Sequence, residues 1–168
     1  MNRAYVIMVT SEFLRSHALF GGITDKGMRK IRSLLKEECF SKNEIIIREN
    51  EPGDRLYFLC KGSVEILKEV SSFAKGRPQK IAVLAEGDTF GEMGLIDMQA
   101  RAATVKALED TTTLTLSNKD LYRIAEWDLE IFALIVMNLA REISRRLRRM
   151  DTLAASSLFS SAGQEEKA

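Results

Sequence analysis

Glu92 and Arg101 stand nine residues apart in the stretch FGEMGLIDMQARAATV, residues 90–105, and no other pair in this chain is better suited to chemistry. An arginine keeps its charge at every physiological pH and makes two parallel, charge-assisted hydrogen bonds to a phosphate. Gly91 and Gly94 let the backbone turn tightly and remove side chains where an anion would approach peptide N–H groups. A helical turn over Glu92 to Ile96 would add amides without internal partners, which favour negative charge. Glu92 would repel a phosphate. Its ionised carboxylate only accepts hydrogen bonds, so a sugar hydroxyl is its natural partner. Ala102 and Ala103 leave room beside the anion and offer backbone N–H groups. The set fits one small anionic ligand that carries a ribose. The bland alternative is that Glu92 and Arg101 pair with each other at the surface, a contact of little energetic consequence.

A scaffold must hold these groups. Leu14, Leu19 and Phe20 lead into Gly21-Gly22, and Thr24 caps a predicted helix through about Cys39, with Met28, Ile31, Leu34 and Leu35 as its apolar stripe. Short apolar runs follow at 45–47, 56–60, 64–68, 81–85, 104–108 and 112–116, punctuated by Pro52-Gly53, Lys61-Gly62, Gly76-Arg77-Pro78 and Glu86-Gly87-Asp88. Many short strands without strand-helix-strand alternation predict a mainly β fold with flanking helices, a double-stranded antiparallel jelly-roll β-barrel. An N-terminal helical segment precedes the barrel and a long C-terminal helix follows it. Ser117 or Asn118 caps that last helical region, in which Phe132, Val136, Leu139, Ile143, Leu147 and Met150 recur every three or four residues. Beyond Asp151 the residues are small and polar, and 153–168 read as a disordered tail.

Composition narrows the function classes. The chain has 168 residues, of which 45% are hydrophobic, enough for one buried core. A net charge of +1 gives no overall attraction to nucleic acid or to an acidic membrane. The apolar run Tyr5 to Val9 is too short to span a bilayer and lacks the pattern of a signal peptide. Cys39 and Cys60 are expected as reduced thiols, consistent with a cytoplasmic protein. There is no H-E-x-x-H, no phosphate-loop lysine motif and no G-x-S-x-G, and the single histidine, His17, has no nucleophile evidently paired with it. The expectation is a binding module, with no enzyme activity, no metal and no resident cofactor. His17 is read as a surface or turn residue, and Trp127 as an anchor of helix against barrel.

The stretch from Phe90 to Val105 resembles the phosphate-binding cassette of the cyclic nucleotide-binding domain family, whose pattern is F-G-E-(L/M)-(A/G)-L, a short spacer, then R-(A/T/S)-A. Asn50-Glu51-Pro52-Gly53-Asp54, the run Leu56 to Glu65 and Glu86-Gly87-Asp88 resemble that family's earlier strands and turns, so the likeness spans roughly 14–150. The chain departs from the pattern at Asn50, where glycine is frequent, at Ala100, where proline is frequent, and at Met98-Gln99, where a glycine-containing pair is frequent. Asparagine is the next residue most tolerant of a left-handed backbone, so the first departure is mild. The other two imply a looser loop and lower affinity.

The resemblance implies a division into an extension over 1–12, a nucleotide-binding domain over 13–152 that includes its C-terminal lid or dimer helix, and the tail. It implies that the phosphate of cyclic AMP lies on Arg101 and the backbone of Gly91, Glu92, Met93, Ala102 and Ala103, with the Glu92 carboxylate on the ribose 2′-hydroxyl. Ile66, Ala82 and Leu84 would line the base side. Family members selective for cyclic GMP often carry threonine or serine where Ala102 stands, so the expected ligand is cyclic AMP ahead of cyclic GMP. Arg145, Arg146 or Arg149 would stack on the base as a lid. The expected partners are the cyclic nucleotide and either an effector protein or a second copy docked on the C-terminal helix. Two alternatives stand beside this reading: a scaffold whose cassette no longer binds nucleotide, and weak DNA binding through the helix from Arg141 to Arg149, whose five arginines face one glutamate.

Overall fold

The structure, a computed structural model, describes residues 11–69 and 78–165, with side chains described for 13–69 and 78–152. The extension expected over 1–12 and the turn at Gly76-Arg77-Pro78 lie largely or partly outside these residues. Among the described residues, eight strands form two four-stranded sheets that are antiparallel throughout. One sheet takes the order β1 (Lys36–Phe40), β8 (Thr111–Ser117), β3 (Arg55–Lys61), β6 (Thr89–Phe90). The other takes the order β2 (Ile45–Ile47), β7 (Thr104–Ala107), β4 (Ser63–Lys68), β5 (Gln79–Ala85). Helices α1 (Ser11–Ser16), α2 (Asp25–Leu34), α3 (Glu92–Asp97), α4 (Asn118–Trp127) and α5 (Leu129–Glu165) complete the expected jelly roll with flanking helices.

Strand β3 explains the layering. Five consecutive residues of it are buried, because it is covered on both faces. Leu56, Phe58 and Cys60 join Leu114 and Leu116 against the helices, meeting Leu14, Phe20, Ile31, Ile124, Ile131 and Ile135. Tyr57 and Leu59, on the opposite face, join Ile47, Val64, Phe90 and Val105 between the sheets. Phe58 stacks on Phe20 at 5.2 Å on the first side, and Tyr57 stacks on Phe90 at 4.9 Å on the second. Truncating Phe58 to alanine would cost about 3–5 kcal/mol. Cys39 and Cys60 are both free thiols, and burial pushes the Cys60 thiol up to about 12, leaving it unreactive.

Four details depart from the sequence expectations. Thr24 does cap α2, but the helix ends at Leu34 and the next residues pair with β8 as strand β1. Two helices, not one, follow the barrel: Asp128 leaves the helical conformation at φ −162°, and its Oδ1 accepts from Ile131 N at 3.1 Å, which starts α5 afresh. On α5 the fully buried residues are Ile131, Ile135 and Leu139; of the expected stripe, Phe132, Leu139 and Ile143 pack on the core, while Val136, Leu147 and Met150 are exposed. The backbone of 153–165, read as a disordered tail, is helical, in keeping with a run of alanine and other residues that holds no proline to break it.

The amino-terminal segment and α5 are fastened by one side chain. Asn138, buried on α5, donates from Nδ2 to Leu19 O at 3.0 Å and to Gly21 O at 2.9 Å. Its Oδ1 accepts from Arg141 Nη1 at 2.8 Å, so the whole amide is satisfied.

Candidate functional site

Arg101 is carried on a short return of chain before β7. Its N–H donates to Glu51 O and its carbonyl accepts from Asn50 N, both at 2.9 Å, so the residue is pinned on both sides by the segment before β3. Asn50 itself holds φ +67°, the left-handed conformation expected of it. From there the side chain enters the protein, and the residue is only 7% exposed. Its guanidinium lies 6.0 Å from the centre of the Tyr57 ring. Nη1 donates to Arg55 O and to Gly91 O, each at 3.0 Å. Those bonds use both hydrogens of Nη1. Nε and Nη2 have no partner among the described residues, so three N–H donors remain for an anion. Burial holds the guanidinium below its ordinary pKa, outweighing the charges of Asp54 and Glu92, neither of which forms an ion pair with it among the described residues.

Three glycines make that position habitable. A Cβ on Gly53 would collide with Arg101 Nε, one on Gly91 would lie 2.9 Å from Nη1, and one on Gly94 2.8 Å from Nη1. Gly91 also needs its freedom of backbone, at φ +82°. Gly53 and Gly94 have ordinary φ values, so there the missing side chain is a matter of space alone. Gly53, Tyr57 and the Arg55 carbonyl were not foreseen as parts of the site. Pro52-Gly53 reads in the sequence as a turn, and a glycine that makes room for a distant cation carries no local sign of doing so.

Glu92 opens α3 directly after Gly91, which offers no side chain to cap that helix. Its carboxylate does not meet Arg101. Oε1 accepts from Arg146 Nη1 of α5 at 2.9 Å, and Oε2 has no partner among the described residues. Arg146 Nη2 also donates to Thr89 O at 2.6 Å and to Thr89 Oγ1 at 3.2 Å, while its Nε reaches Glu142 Oε1 at 3.3 Å. One arginine therefore ties α5 to both sides of Gly91. Arg145 turns aside to Glu142, at 2.7 Å, which holds the Glu142 carboxyl below its usual range. Arg149 lines a cavity of about 320 Å³ together with His17, Asp88, Thr89, Glu142 and Arg146. Of the three arginines expected as a lid, Arg146 alone reaches the cassette, and it does so as an ion-pair partner of Glu92.

The remaining site candidates divide by face. Ile66 and Leu84 pack against the cluster between the sheets, and Ala82, opposite Ile66 on β5, is exposed. Met93 is exposed, so its backbone alone is suited to the site. Ala102 is exposed and Ala103 half-buried, and neither backbone N–H has an acceptor among the described residues. Met98, in place of a more permissive residue, closes α3 at φ +53°. His17, expected as a surface or turn residue, sits in the turn that caps Ala18–Phe20 and is half-buried: its Nδ1 accepts from Leu19 N at 3.2 Å and its ring stands edge-on to Phe58 at 5.1 Å. Burial lowers its pKa.

Residues 37–128, which contain every cassette residue, match the family described as the cyclic nucleotide-binding domain. The chain belongs to that family. Among its relatives is the cyclic AMP receptor protein of Thermus thermophilus, 28% identical over 138 residues, a match that takes in 82% of this chain and 61% of the relative. The chain thus spans about three fifths of that relative's length. The crystal structure of the Thermus thermophilus catabolite activator protein superposes with a TM-score of 0.71 over 82% of this chain and 61% of that one, at 28% identity. A cyclic nucleotide-binding domain from Methylobacillus flagellatus gives 0.74 at 25% identity, over 82% and 76% of the two chains. The regulatory domain of Toxoplasma gondii protein kinase A, solved with cyclic AMP, gives 0.63 at 28% identity, over 78% and 48%. The antiparallel sheets and the long last helix match the fold of these cyclic nucleotide-binding domains. No described helix is long and apolar enough to cross a membrane.

Proposed function

We propose that this domain is a receptor for cyclic AMP that passes ligand occupancy to α5, and thence to a partner protein or a second copy. The observation that carries the reading is the buried guanidinium of Arg101, held by two backbone carbonyls in a slot of three glycines with its other donors unspent. A protein does not ordinarily bury a cation without a carboxylate, and an anionic ligand supplies the missing charge. Ala102 and Ala103 add two N–H groups without acceptors among the described residues, and Glu92 Oε2 is left for a ribose hydroxyl while Oε1 holds Arg146. Ala102, lacking a hydroxyl, favours cyclic AMP over cyclic GMP by lost contacts only, so discrimination between the two is modest.

Ligand entry changes the surroundings of Glu92, and Arg146 carries that change to α5. A shift of α5 needs a difference of a few kcal/mol in ligand affinity between two positions of the helix. The outer face of α5 is suited to receive the output. Val136, Met137, Leu147 and Met150 are exposed there, and a groove of about 430 Å³ runs past Met137, Ala140, Ser144 and Arg148. Apolar residues repeated on an exposed helix face suit a second helix, from another copy or from an effector.

The test is a thermal melt of the intact chain with and without cyclic AMP, beside the Arg101→Ala protein. Ligand at about 100 times its dissociation constant adds about 2.7 kcal/mol to the folded state. The wild-type midpoint should rise and that of Arg101→Ala should not. No rise with saturating cyclic AMP or cyclic GMP favours the scaffold alternative, and an equal rise in both proteins removes Arg101 from the site.

A further inference from the structure

We infer that Lys68 and Glu49, neither of them in the cassette, form a clamp that aims the Ala103 amide at the bound phosphate and so sets nucleotide affinity without touching the nucleotide. The inference rests on the reading of the site just given. Lys68 ends β4, and its Nζ lies 2.5 Å from Glu49 Oε1 and 2.6 Å from Ala102 O. Glu49 is itself fixed. Its side chain is only 7% exposed, its Oε2 accepts from Glu69 N at 2.9 Å, and its own N–H donates to Thr104 Oγ1 at 3.0 Å. The bond from Lys68 holds the Glu49 carboxyl below its ordinary pKa, so this carboxylate stays charged at neutral pH.

The geometry of the peptide group does the rest. A planar trans peptide carries its N–H opposite its carbonyl, and the unit that bears Ala102 O bears the N–H of Ala103. Anchoring that oxygen to Lys68 therefore fixes the direction of the Ala103 N–H, which points away from the ammonium. The preceding unit is held in the same manner, since Arg101 O accepts from Asn50 N at 2.9 Å and so fixes the Ala102 N–H. Two consecutive amides, both without acceptors among the described residues, are set by anchors on the carbonyl side. Paired backbone N–H groups of this kind form an anion cradle. A cation on the carbonyl also polarises the peptide and strengthens the donor at its other end. A surface ion pair would need none of this; Lys68 would then be free to reach water instead of a cassette carbonyl.

The experiment measures cyclic AMP affinity by calorimetry, and the Ala103 amide by proton-nitrogen correlation spectra, for wild type, Lys68→Arg, Lys68→Met and the double variant Glu49→Gln with Lys68→Met. The double variant leaves no uncompensated buried charge and guards against a folding defect in the single one. Lys68→Met and the double variant should bind about tenfold more weakly, the worth of a charge-assisted hydrogen bond. In both, the downfield movement of the Ala103 amide proton on adding cyclic AMP should shrink, and Lys68→Arg should restore both readouts. Wild-type affinity and an unaltered Ala103 shift in the double variant would overturn the clamp while leaving the site intact. Wild type that takes up neither cyclic AMP nor cyclic GMP would overturn the site itself, and with it the role given to Lys68.

Discussion

The two charged residues of the cassette are held in opposite ways. Arg101 is fixed by main chain: its own peptide groups are tied at Asn50 and Glu51, its guanidinium is tied to the carbonyls of Arg55 and Gly91, and glycines wall the slot. Glu92 is held by a long side chain reaching down from a helix. Main-chain anchors between segments already fixed by the barrel cost little further ordering, whereas an arginine and a glutamate held together spend side-chain entropy and are easily exchanged. If the proposed receptor function holds, the end that takes the phosphate is built before ligand arrives and the end that takes the ribose is the one that would report, which would assign recognition and response to different ends of one short segment.

The sharpest way to break that division is Gly53→Ala. A methyl group there overlaps Arg101 Nε, Cζ and Cδ, so the guanidinium must leave its slot. Cyclic AMP affinity should fall roughly 30- to 100-fold, as expected for losing charged hydrogen bonds to a buried anion. Unfolding midpoints of the ligand-free protein should move far less, and calorimetry beside a melt separates the two. An unchanged dissociation constant would mean that the slot is not where phosphate binds.

Arg146→Met addresses the responsive end with a smaller expected effect. The pair with Glu92 is partly exposed, so its direct worth is about 1 kcal/mol, and affinity should change by no more than about fivefold. Amide exchange in α5 around residue 146 should accelerate, and adding cyclic AMP should no longer alter it. A hundredfold loss of affinity with α5 undisturbed would make Arg146 a ligand-binding residue and erase the contrast.

The smallest effect concerns pH. His17 packs where the amino-terminal segment meets the β5–β6 turn and α5, facing the Gly87 carbonyl, Asp88, Glu142 and Arg146. Burial lowers its pKa below the ordinary 6.5, so the folded protein prefers it neutral and the unfolded chain takes up the proton first. Its contribution is therefore present above 6.5 and is lost as pH falls from there through the lower, folded value. The unfolding midpoint should drop between neutral pH and mild acid, and less steeply in His17→Asn, whose carbonyl can still accept from Leu19 N. Parallel profiles for the two proteins would remove His17 from the account.

Much of this was legible because the relevant signals are local. The six apolar runs became strands since alternation and turn residues act within a few positions, and Asn50 adopted the left-handed backbone that its side chain tolerates. Strand β1 escaped because Lys36-Glu37-Glu38 is charged and follows a helix without interruption; its partner β8 lies some seventy residues on, and pairing alone makes it a strand. The break at Asp128 escaped because neither glycine nor proline marks it, only a side chain that can cap. The stripe chosen on α5 drifted from the buried face onto the exposed one, as periodicity over many turns cannot say which face meets the barrel. At the site, the charged pair was plain, but Gly53, Lys68 and Glu49 act through space across strands and leave no trace in spacing.

Asn138 gives the responsive end its reach. Because one carboxamide grips the carbonyls of both Leu19 and Gly21, the start of the domain and its last helix are coupled as a lever and its handle. A tilt of the handle would be felt about 120 residues earlier in the chain, so a regulator seated on the opening segment would sense an occupied pocket without touching the nucleotide.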